Sequence, residues 1–172
     1  NGERRFNNSK SYLKKSLEES LRRLCVDQVE LYYVHRREAE RPIEEVSQTL
    51  SEFVKEGKVN QIGFSEISPS SLNKASKIFP IGAIQSEYSL STRYPELGIL
   101  QKSEEIKATL VAFSPLGRSL LTDKPHNIKK AQTLNLLKEN PRFLEPNLSH
   151  NIKITDAFRE LASDMGISSA AL

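Results

Sequence analysis

The chain has 172 residues, of which 37% are hydrophobic and 27% charged, a balance that permits a buried core and excludes a disordered or low-complexity polymer. Its 25 Lys and Arg are interleaved with 22 Asp and Glu for a net charge of +3, so no clustered basic face speaks for nucleic acid. No apolar run reaches the roughly 18 residues a membrane span needs, and the single cysteine, Cys25, excludes an internal disulfide and fits a reducing, cytoplasmic compartment.

In chain order, residues 1–9 are polar and aperiodic and read as a loop. Ser9 or Ser11 can cap a helix in which Tyr12, Leu13, Leu17, Leu21 and Leu24 recur at helical spacing, with Lys14, Glu18 and Arg22 on the opposite face. Cys25 follows as a small buried hydrophobe, since no acidic or imidazole group immediately flanks it. The run VELYYVHR then predicts a strand over 29–35 that stops at an ionisable pair, His35 and Arg36.

Pro42, Glu44 and Glu45 open a second helix with the stripe Ile43, Val46, Leu50, Phe53 and Val54, and Gly57 supplies its left-handed cap. A strand over 59–64 ends at Ser65 and Glu66. Ser68 and Pro69 start a third helix that turns Leu72, Ala75 and Ile78 inward, and a strand over 81–84 ends at Gln85. Residues 95–106 carry one more helical pattern, and a strand over 109–113 runs into Ser114, Pro115, Leu116 and Gly117. Residues 118–151, rich in Lys, Asn and Pro, break the rhythm as a surface excursion with a short helix near 128–137, and helical periodicity resumes over 152–165.

Strand and helix alternate about four times with short connections, so the fold class is α/β with parallel strands. With 7 Gly in the chain no G-x-G-x-x-G follows any strand, which favours a (β/α) TIM barrel over an open dinucleotide-binding sheet. A complete barrel takes about 250 residues, so residues 1–172 are expected to hold its middle part, with both ends cut: no methionine starts the chain, and Leu172 follows a helix start at Ser168 and Ser169. Parallel strands gather their carboxyl ends on one face, which brings together His35 and Arg36, Ser65 and Glu66, Gln85, and the turn 113–118. For His35 the competing reading is a core histidine satisfied by a carbonyl. No metal-ligand spacing is present, and His126 and His150 fall in the excursion.

The segments YYVHR, PIEE, KEGKVNQIGFSEIS, QSEYSL and VAFSPLGRSLLT, in this order, resemble the aldo-keto reductase family over nearly the whole chain. The resemblance implies an eight-stranded barrel, of which this chain is about strands 4 to 7, that reduces an aldehyde or ketone with NADPH, or with NADH in some members. It implies that His35 orients the substrate carbonyl, while the family's catalytic tyrosine, lysine and aspartate precede Asn1. It further implies that Ser65 and Gln85 hold the nicotinamide carboxamide, that Phe113 stacks on the ring, that Ser114, Leu116, Gly117 and Arg118 line the pyrophosphate, and that Lys124 reaches the phosphates. Glu66 stands where many members have asparagine, although some microbial and fungal-type branches share the Ser-Glu pair.

A small carbonyl compound is the implied partner, with no nucleic acid and no membrane, on a monomer or weak oligomer. Two other readings accompany this one. The first is a nucleotide-binding regulatory subunit like the potassium-channel β subunits, against which His35 speaks. The second is a truncated product that neither closes a barrel nor turns over substrate.

Overall fold

The computed structural model describes residues 5–172 as two compact units, one of residues up to Tyr88 with Arg93–Phe113, the other of Ser89–Thr92 and Ser114–Leu172. The first holds four parallel strands, β1 (Val29–Val34), β2 (Val59–Ser65), β3 (Ala83–Glu87) and β4 (Thr109–Phe113), hydrogen-bonded in the order β1-β2-β3-β4. Helices α1 (Lys10–Leu24), α2 (Ile43–Lys55), α3 (Pro69–Ser76) and α4 (Ile99–Glu105) alternate with them. A doubly wound sheet reverses its strand order and carries helices on both faces. An unreversed order with right-handed crossovers keeps them on one, which is a stretch of (β/α)8 barrel.

Burial follows that rule. Val34, Ile62, Phe64 and Ile84, all on one sheet face, are buried with Leu13 and Leu17 of α1, Val46, Leu50 and Phe53 of α2, and Leu72 of α3. Each such Leu or Phe contributes about 1.5–3 kcal/mol by leaving water. The Tyr32 ring meets Phe53 edge-on at 6.3 Å between centroids. The other face carries Tyr33, Gly63, Gln85, Val111 and Phe113, alternate in sequence to the buried set.

Local chemistry sets the ends of these elements. Ser9 caps α1 by accepting from Tyr12 N–H, and Ser68 caps α3 by accepting from Ser71 N–H, with Pro69 in the first turn. Gly57, at φ +72°, closes α2 as its left-handed cap, and Lys58 N–H returns to Phe53 O at 3.1 Å.

Several expectations shift. Cys25 is exposed, not buried: it ends α1 at φ +55°, and Val26 N–H returns to Leu21 O at 3.2 Å, a closure that turns the thiol outward. β3 lies later than 81–84 because the ladder from Gly63↔Ala83 to Glu87↔Phe113 carries pairing through polar residues that apolar content cannot flag. The pattern over 95–106 is a 3₁₀ turn (Tyr94–Leu97) and α4, broken at Gly98 with φ +148°. Ile78 follows the end of α3 and is 41% exposed.

The second unit contains the short helices α5 (Ile128–Thr133), α6 (Asn147–Ile154) and α7 (Asp156–Asp164); Thr155 divides the pattern over 152–165. Leu120, Ala131, Leu137, Phe143 and Leu148 form its own buried cluster. Among the described residues no helix is long and apolar enough to cross a membrane.

Candidate active site at the strand ends

In the first unit the strand ladder decides which candidate side chains meet. Ser65 and Gln85 are direct partners across β2 and β3, so their side chains project from the same face. Val34 pairs with Phe64, which leaves His35, one residue further, beside Ser65. Gln85 pairs with Val111, and Phe113 stands two residues beyond Val111 on the same face. His35, Ser65, Gln85 and Phe113 thus lie in strand order along one end of the sheet, on the face that the helices do not cover.

Their polar groups are uncommitted. Ser65 is only 5% exposed, Gln85 is half-buried and His35 is exposed, and none of the three makes a side-chain hydrogen bond among the described residues. A hydroxyl beside a primary amide offers donors and acceptors that match a planar carboxamide, and an imidazole can donate to a carbonyl oxygen. The Tyr33 hydroxyl, on the same face two residues before His35, is buried without a partner among the described residues, and burial pushes its pKa up. Below it Gly63 is obligatory: a Cβ there would sit 2.5 Å from the Tyr33 ring and 2.8 Å from the Ala83 carbonyl oxygen. A groove of about 220 Å³ at the β1 edge is lined by Asn8, Tyr12, Tyr33 and His35 among others.

Just past the strands, Glu66 adopts φ +54° and its carboxylate approaches both Glu87 and Arg36. Asn8 holds the segment after His35: its side-chain amide donates to Arg36 O at 3.1 Å and its Oδ1 accepts from Glu38 N–H at 2.8 Å. Glu38 answers by accepting from Asn8 N–H, and that bond with Arg41 beside it holds its carboxyl below the usual range. Sequence reading missed Asn8, because a long-range polar clamp leaves no periodic trace.

In the second unit, Ser114, Gly117, Arg118 and Ser119 all have positive φ, at 51°, 56°, 54° and 89°. Gly117 is buried, and a Cβ on it would come within 2.8 Å of Ser91 Oγ. Ser119 tolerates a glycine-like backbone because its hydroxyl accepts from His126 N–H at 3.0 Å. Arg159 donates to Leu120 O at 3.1 Å, and Ser169 donates from its N–H and its hydroxyl to Asp123 at 2.8 and 2.6 Å. Those two bonds hold the Asp123 carboxyl below the usual aspartate range. Ser114, Arg118 and His126 border a depression of about 390 Å³; Leu116 and Lys124 are exposed. Among the described residues no cluster of His, Cys, Asp and Glu is placed to hold a metal.

The model of the Aldo/keto reductase family matches residues 1–172. The chain is 33% identical, over 99% of its length, to 51% of "Aldo-keto reductase yakc [NADP(+)]" of Schizosaccharomyces pombe, and 40% identical, over 90%, to 44% of "Probable aldo-keto reductase 1" of Glycine max. Among solved structures, the glycerol dehydrogenase AKR11B4 from Gluconobacter oxydans superposes with a TM-score of 0.82 at 28% identity, covering 95% of this chain and 50% of that one. The holo form of aldo-keto reductase AKR11C1 from Bacillus halodurans gives 0.64 at 31% identity, over 70% and 42%. The chain thus spans about half the length of the curated relatives it matches. Matched from end to end by the family model, and built on four parallel strands in unreversed order, the chain belongs to the aldo/keto reductase family.

Proposed function

We propose that the whole protein reduces an aldehyde or ketone to an alcohol with NADPH, and that this chain supplies the residue orienting the carbonyl and much of the nucleotide site. The observation that carries the reading is the Ser65↔Gln85 pairing, which sets an uncommitted hydroxyl and amide side by side next to His35. Family membership supports oxidoreductase chemistry on a carbonyl, and the name of the fission-yeast relative supports the choice of NADP.

In this reading Ser65 and Gln85 hold the carboxamide of the nicotinamide, Phe113 lies against its ring, and His35 Nε2–H or Nδ1–H donates to the carbonyl oxygen and fixes the approach of the carbonyl carbon. When bound there, NADPH would supply the hydride. In the second unit Ser114, Leu116, Gly117 and Arg118 line the pyrophosphate, with Lys124 as a further cation. No tyrosine of this chain is assigned the general-acid role. Among the described residues no strand pairs with the outer edges of β1 and β4 in the first unit, so residues 1–172 on their own are expected not to turn over substrate.

The test is calorimetric titration of the whole protein with NADPH and with NADH, followed by a panel of aldehydes and ketones. Micromolar NADPH binding with turnover supports the reading. Binding without turnover on any carbonyl replaces it with a nucleotide-binding subunit, and no binding of either nucleotide overturns it.

A further inference from the structure

We infer that Glu66 is a positioning residue, a clasp across three strand ends that sets the spacing of His35, Ser65 and Gln85; the inference rests on the function proposed above. Four contacts carry it. Glu66 N–H donates to Gln85 O at 2.8 Å, so the residue after Ser65 is tied to the backbone of Gln85. Its Oε1 accepts from Glu87 N–H at 2.8 Å, which extends the link along β3 beyond Gln85. Its Oε2 lies 3.9 Å from Arg36 Nη1, one residue past His35, and Arg36 O is in turn held by Asn8 at 3.1 Å.

Backbone conformation makes the choice of residue informative. Glu66 sits at φ +54°, where glycine or asparagine would be at ease and a longer side chain is strained. That left-handed step lets the chain leave the β2 ladder and still return its carboxylate to the β3 backbone. The bond to Glu87 N–H is charge-assisted, whereas the Arg36 pair is partly exposed and long, so the first contact dominates. Oε1 is taken by Glu87 N–H and Oε2 faces Arg36, so Glu66 acts on the site through the backbone beside Ser65 and Gln85.

The experiment compares Glu66→Gly and Glu66→Gln with wild type in the whole protein, by deuterium exchange of the peptide containing the Glu87 amide and by steady-state kinetics with NADPH and a carbonyl substrate. Glycine accepts the positive φ, so this variant removes the carboxylate without adding strain. Glu66→Gly is expected to speed exchange at Glu87 and to lower kcat about tenfold or more through misplacement of the reacting groups. Glu66→Gln keeps an acceptor for Glu87 N–H and is expected to restore most of both. Wild-type exchange in Glu66→Gly overturns the clasp, and a kcat in Glu66→Gly equal to that of the wild type overturns its positioning role. If the wild type reduces no carbonyl, the proposed function fails while the exchange comparison still decides whether the clasp exists.

Discussion

The two units hold their candidate groups by opposite means. In the first, His35, Ser65, Gln85 and Phe113 ride on a parallel ladder backed by a broad apolar layer, and the positions are set by register. In the second, Ser114, Gly117 and Arg118 sit on a left-handed turn held by side-chain bonds from Ser119, Arg159 and Asp123, over a cluster that is much smaller. A ladder fixes the backbone under a side chain through many equivalent bonds, so single polar residues matter only past the strand ends, where Glu66 and Asn8 make their contacts. A turn concentrates the same task in a few bonds and in backbone conformations that cost about 1–2 kcal/mol per non-glycine residue. The expected behaviour is a stiff first region and a second region that responds to single polar changes and to pH.

A large effect on the apolar layer is expected from Leu50→Ala, which removes a fully buried side chain and should cost about 2–5 kcal/mol in chemical denaturation. A loss below about 1 kcal/mol would mean that the layer repacks and is not the rigid support described. His35→Ala leaves the ladder intact and is expected to lower kcat by about 100-fold with NADPH affinity unchanged; normal kinetics would remove His35 from the reaction. Gly63→Ala drives a methyl into the Tyr33 ring and the Ala83 carbonyl and should destabilise by about 1–3 kcal/mol, which a thermal melt would register.

In the second unit the effects are smaller and of a different kind. Asp123 has a depressed pKa, so its bonds to Ser169 stabilise fully above the ordinary aspartate value of 3.8 and are lost as the pH falls through the lower folded value. The protection factor of the Ser169 amide, its exchange relative to the intrinsic rate at each pH, should fall as the pH drops through that acidic window, and Asp123→Ala should abolish this change; a constant protection factor in the parent would show that the contact contributes nothing in solution. Ser119→Gly removes the strain at φ +89° and also the bond to His126 N–H. These offset, so the net change should stay within about 1 kcal/mol. A larger loss would place the hydroxyl bond above the strain in importance.

Much of the first unit was legible beforehand because its signals are local and repeated. Leu13, Leu17 and Leu21 mark the buried face of α1, Gly57 marks the end of α2, and the alternation of elements marks a parallel α/β sheet. The signals failed where a third partner decides. Cys25 looked like a core residue until helix closure turned it outward, and β3 looked apolar and short until its neighbours carried the ladder to Glu87. In the candidate site, residue types at strand ends could be read as chemistry, whereas the Asn8 clamp and the Ser169 bonds to Asp123 span 30 and 46 residues and leave no periodic trace.

By itself the sequence determined the class of fold, the family and the residue types at each strand end, since these depend on periodicity, turn chemistry and short motifs that neighbouring residues create. Only the tertiary structure decided that Ser65 and Gln85 are side-by-side partners, that Glu66 turns left-handed to meet the Glu87 amide, and that the segment after Phe113 builds a core of its own. Those are matters of register and long-range contact. They are fixed when separate strands close on one another, and no local stretch of chain contains them.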